Sequence, residues 1–393
     1  MMNFASFGLD PFGWYEMMRA SMPVAYAADR GFAAVFGYDD VQRVLSEHAT
    51  FSSQFGGPGG NAGVGPLGAS LISTDPPRHR DLRSLVNQAF TPRAVVALAP
   101  RITSIVDELL AAVASSGHMD VVEALAYPLP VIVIAELMGI PSERRADFKR
   151  WSDAIVSGER RRSEGGGQGT DGGYTSAQAQ MTDYFREVIA ARREHPGDDL
   201  ISALLRAEVD GEHLSERELL GFCILLLVAG NETTTNLIGN AILCFDEQPG
   251  TWERLREQPE LIPSAVEEVL RYRSPVQAMF RVVKQETTLG GQTLPEGTRM
   301  LAWIGSANRD EAQFPNASRF EIERTPNRHL AFGYGIHFCL GAPLARLEAR
   351  IALEQMTRRL PGLRRVRDVD LEVLGGPIIF GVRQLPVTFD PAQ

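Results

Sequence analysis

Phe332-Gly333-Tyr334-Gly335-Ile336-His337-Phe338-Cys339-Leu340-Gly341 is the stretch on which the fold turns. It sets one cysteine among glycines and aromatic rings, with a helical pattern directly after it. Glycine at such density lets the backbone turn tightly and approach a bound group closely. A cysteine at the start of a helix has its thiolate favoured by the positive end of the helix dipole. Cys339 therefore reads as an anionic sulfur held against something flat or bulky. A lone cysteine is more often an inert buried residue. The glycines at fixed offsets favour the anionic reading here.

The chain around it has an ordinary soluble composition: 44% of its 393 residues are hydrophobic and 22% charged. A net charge of −10 argues against the basic surface that a nucleic-acid partner needs. The cysteines, Cys223, Cys244 and Cys339, include no C-x-x-C pair, which argues against a disulfide framework or a structural zinc site. Met1 to Tyr15 has no basic region followed by a long apolar run. Neither a signal peptide nor a membrane anchor is expected, and a cytoplasmic location is.

Upstream of the cysteine, Ser215-Glu216-Arg217-Glu218 is a capping box that opens the longest helical pattern, running to about Phe245. That pattern is apolar on most sides between Gly221 and Ala229, as in a central buried helix. Ala229-Gly230-Asn231-Glu232-Thr233-Thr234-Thr235 interrupts it. Glycine and clustered threonines are poor helix formers and are expected to open the helix locally. A buried glutamate is costly unless paired or working, so Glu232 is a functional candidate. Pro263 to Tyr272 is a further helix, on which Glu268 and Arg271 share a face.

His79 and Arg83 share a face of the helix opened by Asp75-Pro76-Pro77, and taken alone they are a solvated basic pair. Val24–Ala27 and Phe32–Phe36 read as a hairpin, and a period of two returns from Arg281 to Ile304. Asn308 to Arg328 is irregular, and Leu371 to Phe389 is a hairpin candidate turning at Gly375-Gly376-Pro377. Gln54–Ser70, with seven glycines, and Gly158–Gly173 read as flexible loops closing over a cavity. Within the first, Gly63-Val64-Gly65-Pro66-Leu67-Gly68 matches the dinucleotide fingerprint. No strand precedes it and Pro66 removes an N–H, so that reading is rejected.

Three features in this order resemble the cytochrome P-450 superfamily of haem-thiolate monooxygenases. They are Ala229 to Thr233, Glu268-Val269-Leu270-Arg271, and Phe332 to Gly341, the last matching F-x-x-G-x-x-x-C-x-G throughout. The resemblance covers about Pro11 to Phe389 and is to the soluble bacterial type. It implies a mainly α fold with small β-sheets in a single domain, residues 1–393. A β-rich lobe (about 20–40 and 280–305) and flexible substrate loops (about 54–70 and 158–173) belong to it. Haem b would lie between the long central helix and the Cys-loop with its C-terminal helix.

By the same resemblance, Cys339 would ligate the iron. Phe332 would shield the sulfur, and Gly335 and Gly341 would let the backbone pass the ring. Ala229 and Gly230 would also face the cofactor. His79, Arg83, Arg281 and His337 would hold the propionates. Glu232 and Thr233 would deliver protons for dioxygen cleavage. Glu268 and Arg271 would be a buried structural pair, with Arg319 as a third member. Leu225, Val228, Val276, Gln277, Ala278, Met279, Ile378 and Ile379 would line the pocket of a hydrophobic substrate such as a fatty acid, steroid or terpenoid. Electrons would come from NAD(P)H through a ferredoxin or flavodoxin-type partner with its reductase, docking where Arg80 and Arg346 offer positive charge. The competing readings are a peroxide-driven peroxygenase and a non-catalytic haem-binding protein. The intact acid–threonine pair argues against both.

Overall fold

The computed structural model describes residues 7–54, 70–144, 146–148, 150–151, 154, 172–374 and 378–391, with backbone alone at 172–175. The two expected substrate loops and the rejected glycine fingerprint lie almost wholly outside these residues. The described helices are α1 (Phe12–Ser21), α2 (Tyr38–Ser46), α3 (Arg78–Ala89), α4 (Pro92–Ala97), α5 (Ala99–Ala111), α6 (Pro128–Leu137), α7 (Gly172–Glu194), α8 (Leu200–Arg206), α9 (Glu216–Glu247), α10 (Thr251–Glu257), α11 (Ile262–Tyr272), α12 (Ile304–Ala307) and α13 (Ala342–Arg359). The strands are β1 (Val24–Ala27), β2 (Phe32–Val35), β3 (Phe51–Ser52), β4 (His118–Asp120), β5 (Met279–Val283), β6 (Thr287–Leu289), β7 (Gln292–Leu294), β8 (Arg299–Ala302), β9 (Arg364–Arg365) and β10 (Pro386–Thr388). The chain gathers into two compact units, one of Met1–Ser53, Ala99–Pro128 and Thr233–Gln393, the other of Gln54–Leu98 and Leu129–Glu232.

In the first unit, β1 and β2 form the expected hairpin, turning through Gly31 at a φ of 53°. Their sheet continues in the order β1-β2-β8-β5-β3, with β2 and β8 parallel and the other pairs antiparallel. Val35, Val41, Val44, Leu45, Met300 and Phe314 pack one core beneath it. Tyr15, Phe36, Ala278, Leu301 and Trp303 pack a second core against α1. The tail differs from the hairpin expected of it. Its turn lies outside the described residues, Val373 and Val382 meet in a single bridge, and β10 pairs with β4 and β9 instead.

Helix α13 starts with Pro343 in its first turn, where a missing N–H costs nothing. Its inward stripe of Leu344, Leu347, Ile351 and Met356 is buried, and it packs against α5, α10 and α11. One member of the buried face is a carboxyl: Glu348 has both oxygens shut from solvent with no hydrogen-bond partner among the described residues.

Glu268 and Arg271 are both completely buried and joined by two bonds of 2.8 and 2.7 Å. The expected third member is corrected. Arg319 contributes only its carbonyl, which accepts from Arg271 at 2.8 Å. The second cation on Glu268 is Arg324, whose Nε reaches both carboxylate oxygens at 3.2 Å. The Glu321 N–H and the Asn327 amide complete the shell at 2.9 and 3.1 Å. Arg271 also ties in the carbonyls of Asn308 and Ala317.

Two predictions follow this packing. Removing one partner of a buried pair leaves a charge uncompensated, so Glu268→Gln and Arg324→Ala should each cost about 3–5 kcal/mol in urea unfolding. Arg319→Ala, which keeps the carbonyl, should shift the midpoint little, and equal losses in Arg319→Ala and Arg324→Ala would refute the assignment. For Glu348, burial pushes the carboxyl from 4.5 up to about 8. The native chain then keeps a proton that the unfolded chain releases, so stability falls as pH rises from 4.5 to about 8. Glu348→Gln should abolish that slope. Stability-against-pH curves that stay parallel for parent and variant would contradict it.

Candidate active site

The Cys-loop is built by backbone bonds rather than by regular structure. Cys339 N–H donates to the Phe332 carbonyl at 2.9 Å, Phe338 N–H to Gly335 at 3.1 Å and Gly333 N–H to Leu330 at 2.8 Å. Gly333 and Gly335 both take a φ of 72°, a region that disfavours side chains. At Gly335 a second constraint acts: an added Cβ would come within 2.9 Å of the Ser46 Cα. The missing side chain of Gly335 thus also lets the loop pass α2. Gly341 differs. An added Cβ there would meet nothing nearer than the Cys339 Sγ at 3.9 Å, so its absence leaves the flank of the sulfur open.

Cys339 is exposed, whereas Cys223 and Cys244 are buried. Burial pushes both buried thiols up to about 12, which keeps them protonated and inert. Among the described residues no three His, Cys, Asp or Glu side chains gather as a metal-binding group. A protein-only metal site needs three or four ligands. A single exposed thiol heading an 18-residue helix suits a metal that arrives with its other ligands, as haem iron does.

Around this loop lies a charge cluster not anticipated from the sequence. Glu267 on α11 accepts two bonds from the Arg346 guanidinium at 2.7 and 2.8 Å and one from His329 Nε2 at 3.1 Å. Burial alone would raise the Glu267 carboxyl. The hydrogen bonds of Arg346 and His329, with the positive charge of Arg346, outweigh it and bring the group down to about 2. Arg346, expected to offer free positive charge to a partner, is thus already neutralised.

Helix α9 runs unbroken from Glu216 to Glu247, so the expected local opening at Gly230 to Thr235 is absent. Thr235 explains part of this. Its hydroxyl donates at 3.0 Å to the Ala126 carbonyl, in a π-turn over Val122–Ala126, rather than back into its own helix. What the helix shows is a stripe. Phe222 to Ile224, Leu227, Asn231 and Thr234 to Phe245 are buried; Leu226 and Gly230 keep solvent access at one flank, and Leu225, Val228, Ala229, Glu232 and Thr233 keep it beside them. Spacings of three and four put these five on one face. Gly230 sits beside them, where a Cβ would fall 2.7 Å from the Ile134 side chain.

Val276 bridges Ile379, and Gln277 N–H donates to the Ile378 carbonyl at 2.7 Å, so these two segments run side by side. Val276, Met279, Ile378 and Ile379 are half-buried. Gln277 and Ala278 are corrected as pocket residues. The Gln277 carbonyl accepts from the Tyr15 hydroxyl at 2.6 Å and its amide donates to the Ser274 carbonyl at 2.6 Å. Ala278 packs in the same core as Tyr15. Of the expected propionate ligands, His79 is buried and Arg83 half-buried on α3 in the second unit. Arg281, buried in β5, and His337, in the 3-10 turn Gly335–His337, belong to the first.

One described helix, α9, is long and apolar enough to cross a membrane, and 61% of its most apolar window is buried, as in a core helix. A model of the cytochrome P-450 family matches residues 171–361. Cytochrome P-450 109 of Bacillus spizizenii is 44% identical over 380 residues, 96% of this chain and 92% of that protein. Erythromycin C-12 hydroxylase of Saccharopolyspora erythraea is 40% identical over 380 residues, 95% of this chain and 93% of its own. The crystal structure of CYP109E1 from Bacillus megaterium in complex with testosterone superposes with a TM-score of 0.86 at 43% identity, covering 97% of this chain and 99% of that one. With a thiol-headed helix, a buried Glu–Arg pair and relatives of this identity along nearly its whole length, the chain belongs to the cytochrome P-450 family of monooxygenases.

Proposed function

We propose that Cys339 would hold, through its sulfur, the iron of the haem that the family carries, and that the enzyme hydroxylates a bulky hydrophobic substrate. The observation that carries the reading is the accessible stripe on α9. It sets two polar side chains, Glu232 and Thr233, beside the apolar surface of Leu225, Val228 and Ala229. On a helix otherwise committed to the core, leaving these side chains uncovered forfeits burial energy. A ligand surface is the use that offsets this.

When bound, haem supplies dioxygen binding, O–O cleavage and oxygen transfer. The chain supplies the rest. His79, Arg83, Arg281 and His337 would hold the propionates as cations or hydrogen-bond donors. Phe332 would keep water from the Cys339 sulfur. The Thr233 hydroxyl would donate a hydrogen bond into the site, and the Glu232 carboxyl would pass protons to it from solvent. Val276, Met279, Ile378 and Ile379, with the α9 stripe, would exclude water and orient the substrate. A steroid complex and an erythromycin hydroxylase among the relatives support a large, mostly apolar substrate class. Electrons would reach the site from NAD(P)H through a ferredoxin or flavodoxin-type protein and its reductase, in the cytoplasm.

The tests separate ligation from proton delivery. Cys339→Ser should abolish the red-shifted ferrous–CO Soret band of the haem-loaded protein, and an unchanged spectrum would refute the ligand assignment. Glu232→Gln should slow turnover by about 10²-fold, the lower range for a general acid–base group. Thr233→Ala should consume reductant at a comparable rate while product per electron pair falls several-fold. An undiminished yield from that variant would sink the proton-delivery role.

A further inference from the structure

Phe332 is held by more than its own loop. The Arg346 guanidinium lies 4.4 Å from the centre of the Phe332 ring, within cation–π range. The His329 ring is tilted against it with the ring centres 6.2 Å apart. Both grip the one carboxylate of Glu267, with Arg346 bidentate and His329 through Nε2. His329 Nδ1 accepts the Ala331 N–H at 3.2 Å, which assigns the remaining ring hydrogen to Nε2 and orients the imidazole. The Phe332 carbonyl in turn accepts the Cys339 N–H at 2.9 Å. A continuous path of contacts thus runs from Glu267 on α11 to the cysteine backbone.

We propose that Glu267, Arg346 and His329 act as a charge-balanced clamp that fixes Phe332 over the Cys339 loop and keeps the field at the sulfur near neutral. The inference rests on the reading of Cys339 as the haem ligand. Arg346 lies one turn into α13, about 6 Å along the axis from Ala342. An uncompensated charge there would act on the sulfur within a Debye length. Glu267 cancels it, and the bidentate geometry also holds the guanidinium flat for stacking on Phe332. The three side chains act on the sulfur through Phe332 and the loop backbone. They are positioning residues.

The clamp makes a prediction that mere loosening of the fold does not. In the haem-loaded protein, Glu267→Gln leaves the arginine cation uncompensated, which should raise the haem midpoint potential by favouring the reduced iron. Arg346→Gln leaves the carboxylate, which should lower it. The double variant should return the potential to that of the parent. All three should lose part of the red-shifted ferrous–CO band, because Phe332 is no longer held. Potentials that do not move, or that move in the same direction in both single variants, overturn the proposal. The double variant removes both charges together and keeps the test alive if a single variant does not fold. Its expected result is a parental potential with a weakened band, and a parental band overturns the clamp. A parent protein lacking the red-shifted band would instead refute Cys339 ligation, and the clamp with it.

Discussion

The constraint on which the structure depends is the complete desolvation of one carboxylate, that of Glu268. A buried charge persists only where every lone pair is used. Glu268 meets this with Arg271, Arg324, Asn327 and the Glu321 N–H. Arg271 shares its helix, and the other three come from a segment with almost no regular structure between α12 and the Cys-loop. That segment has no ladder to hold it. It is fixed because its carbonyls at Asn308, Ala317 and Arg319 are the remaining acceptors for Arg271. The ion cluster therefore replaces secondary structure, and the path of the chain into the cysteine follows from it.

Helix α9 obeys the opposite logic. Its second half, from Thr234 to Phe245, is buried without a gap. Two of its polar residues there are given work that leaves the helix intact. Asn240 donates to the Arg273 and Phe380 carbonyls at 3.0 and 3.1 Å, and Thr235 to Ala126. Such bonds carry the helix through residues of weak propensity, since packing overrides intrinsic preference. Upstream of that half lies the accessible stripe, and there the sequence places Glu232 and Thr233.

What could be read from the sequence was what periodicity and spacing record. The α9 pattern, the hairpin of β1 and β2, the Glu268–Arg271 spacing and the cysteine at the head of a helix were all legible, because each is local. What was missed depends on a partner distant in sequence. Arg324 and Arg319 are equally plausible by type, and only the chain's path turns one side chain inward. Gln277 reads as a polar residue in a pocket, yet Tyr15, on a helix 262 positions earlier, claims its carbonyl. Gly335 signals a close approach without saying to what. The threonine run signals a weak helix, but the carbonyl of Ala126 that takes up Thr235 lies more than a hundred positions away.

The neighbouring carboxylates on α11 join these threads. Successive residues on a helix point about 100° apart, so Glu267 and Glu268 face two sides of the same turn. Glu268 faces inward and fastens the segment before the loop. Glu267 is partly exposed and fastens the loop itself, through His329, and the helix after it, through Arg346. Each is closely balanced: Glu267 against Arg346, and Glu268 with Glu321 against Arg271 and Arg324. On the proposed ligand role of Cys339, a loop that presents an anionic sulfur would not be held by a surplus of either sign without shifting the chemistry of that sulfur. Holding it from one helix with two separately neutralised carboxylates gives rigidity and leaves the local field at the sulfur to the dipole of α13.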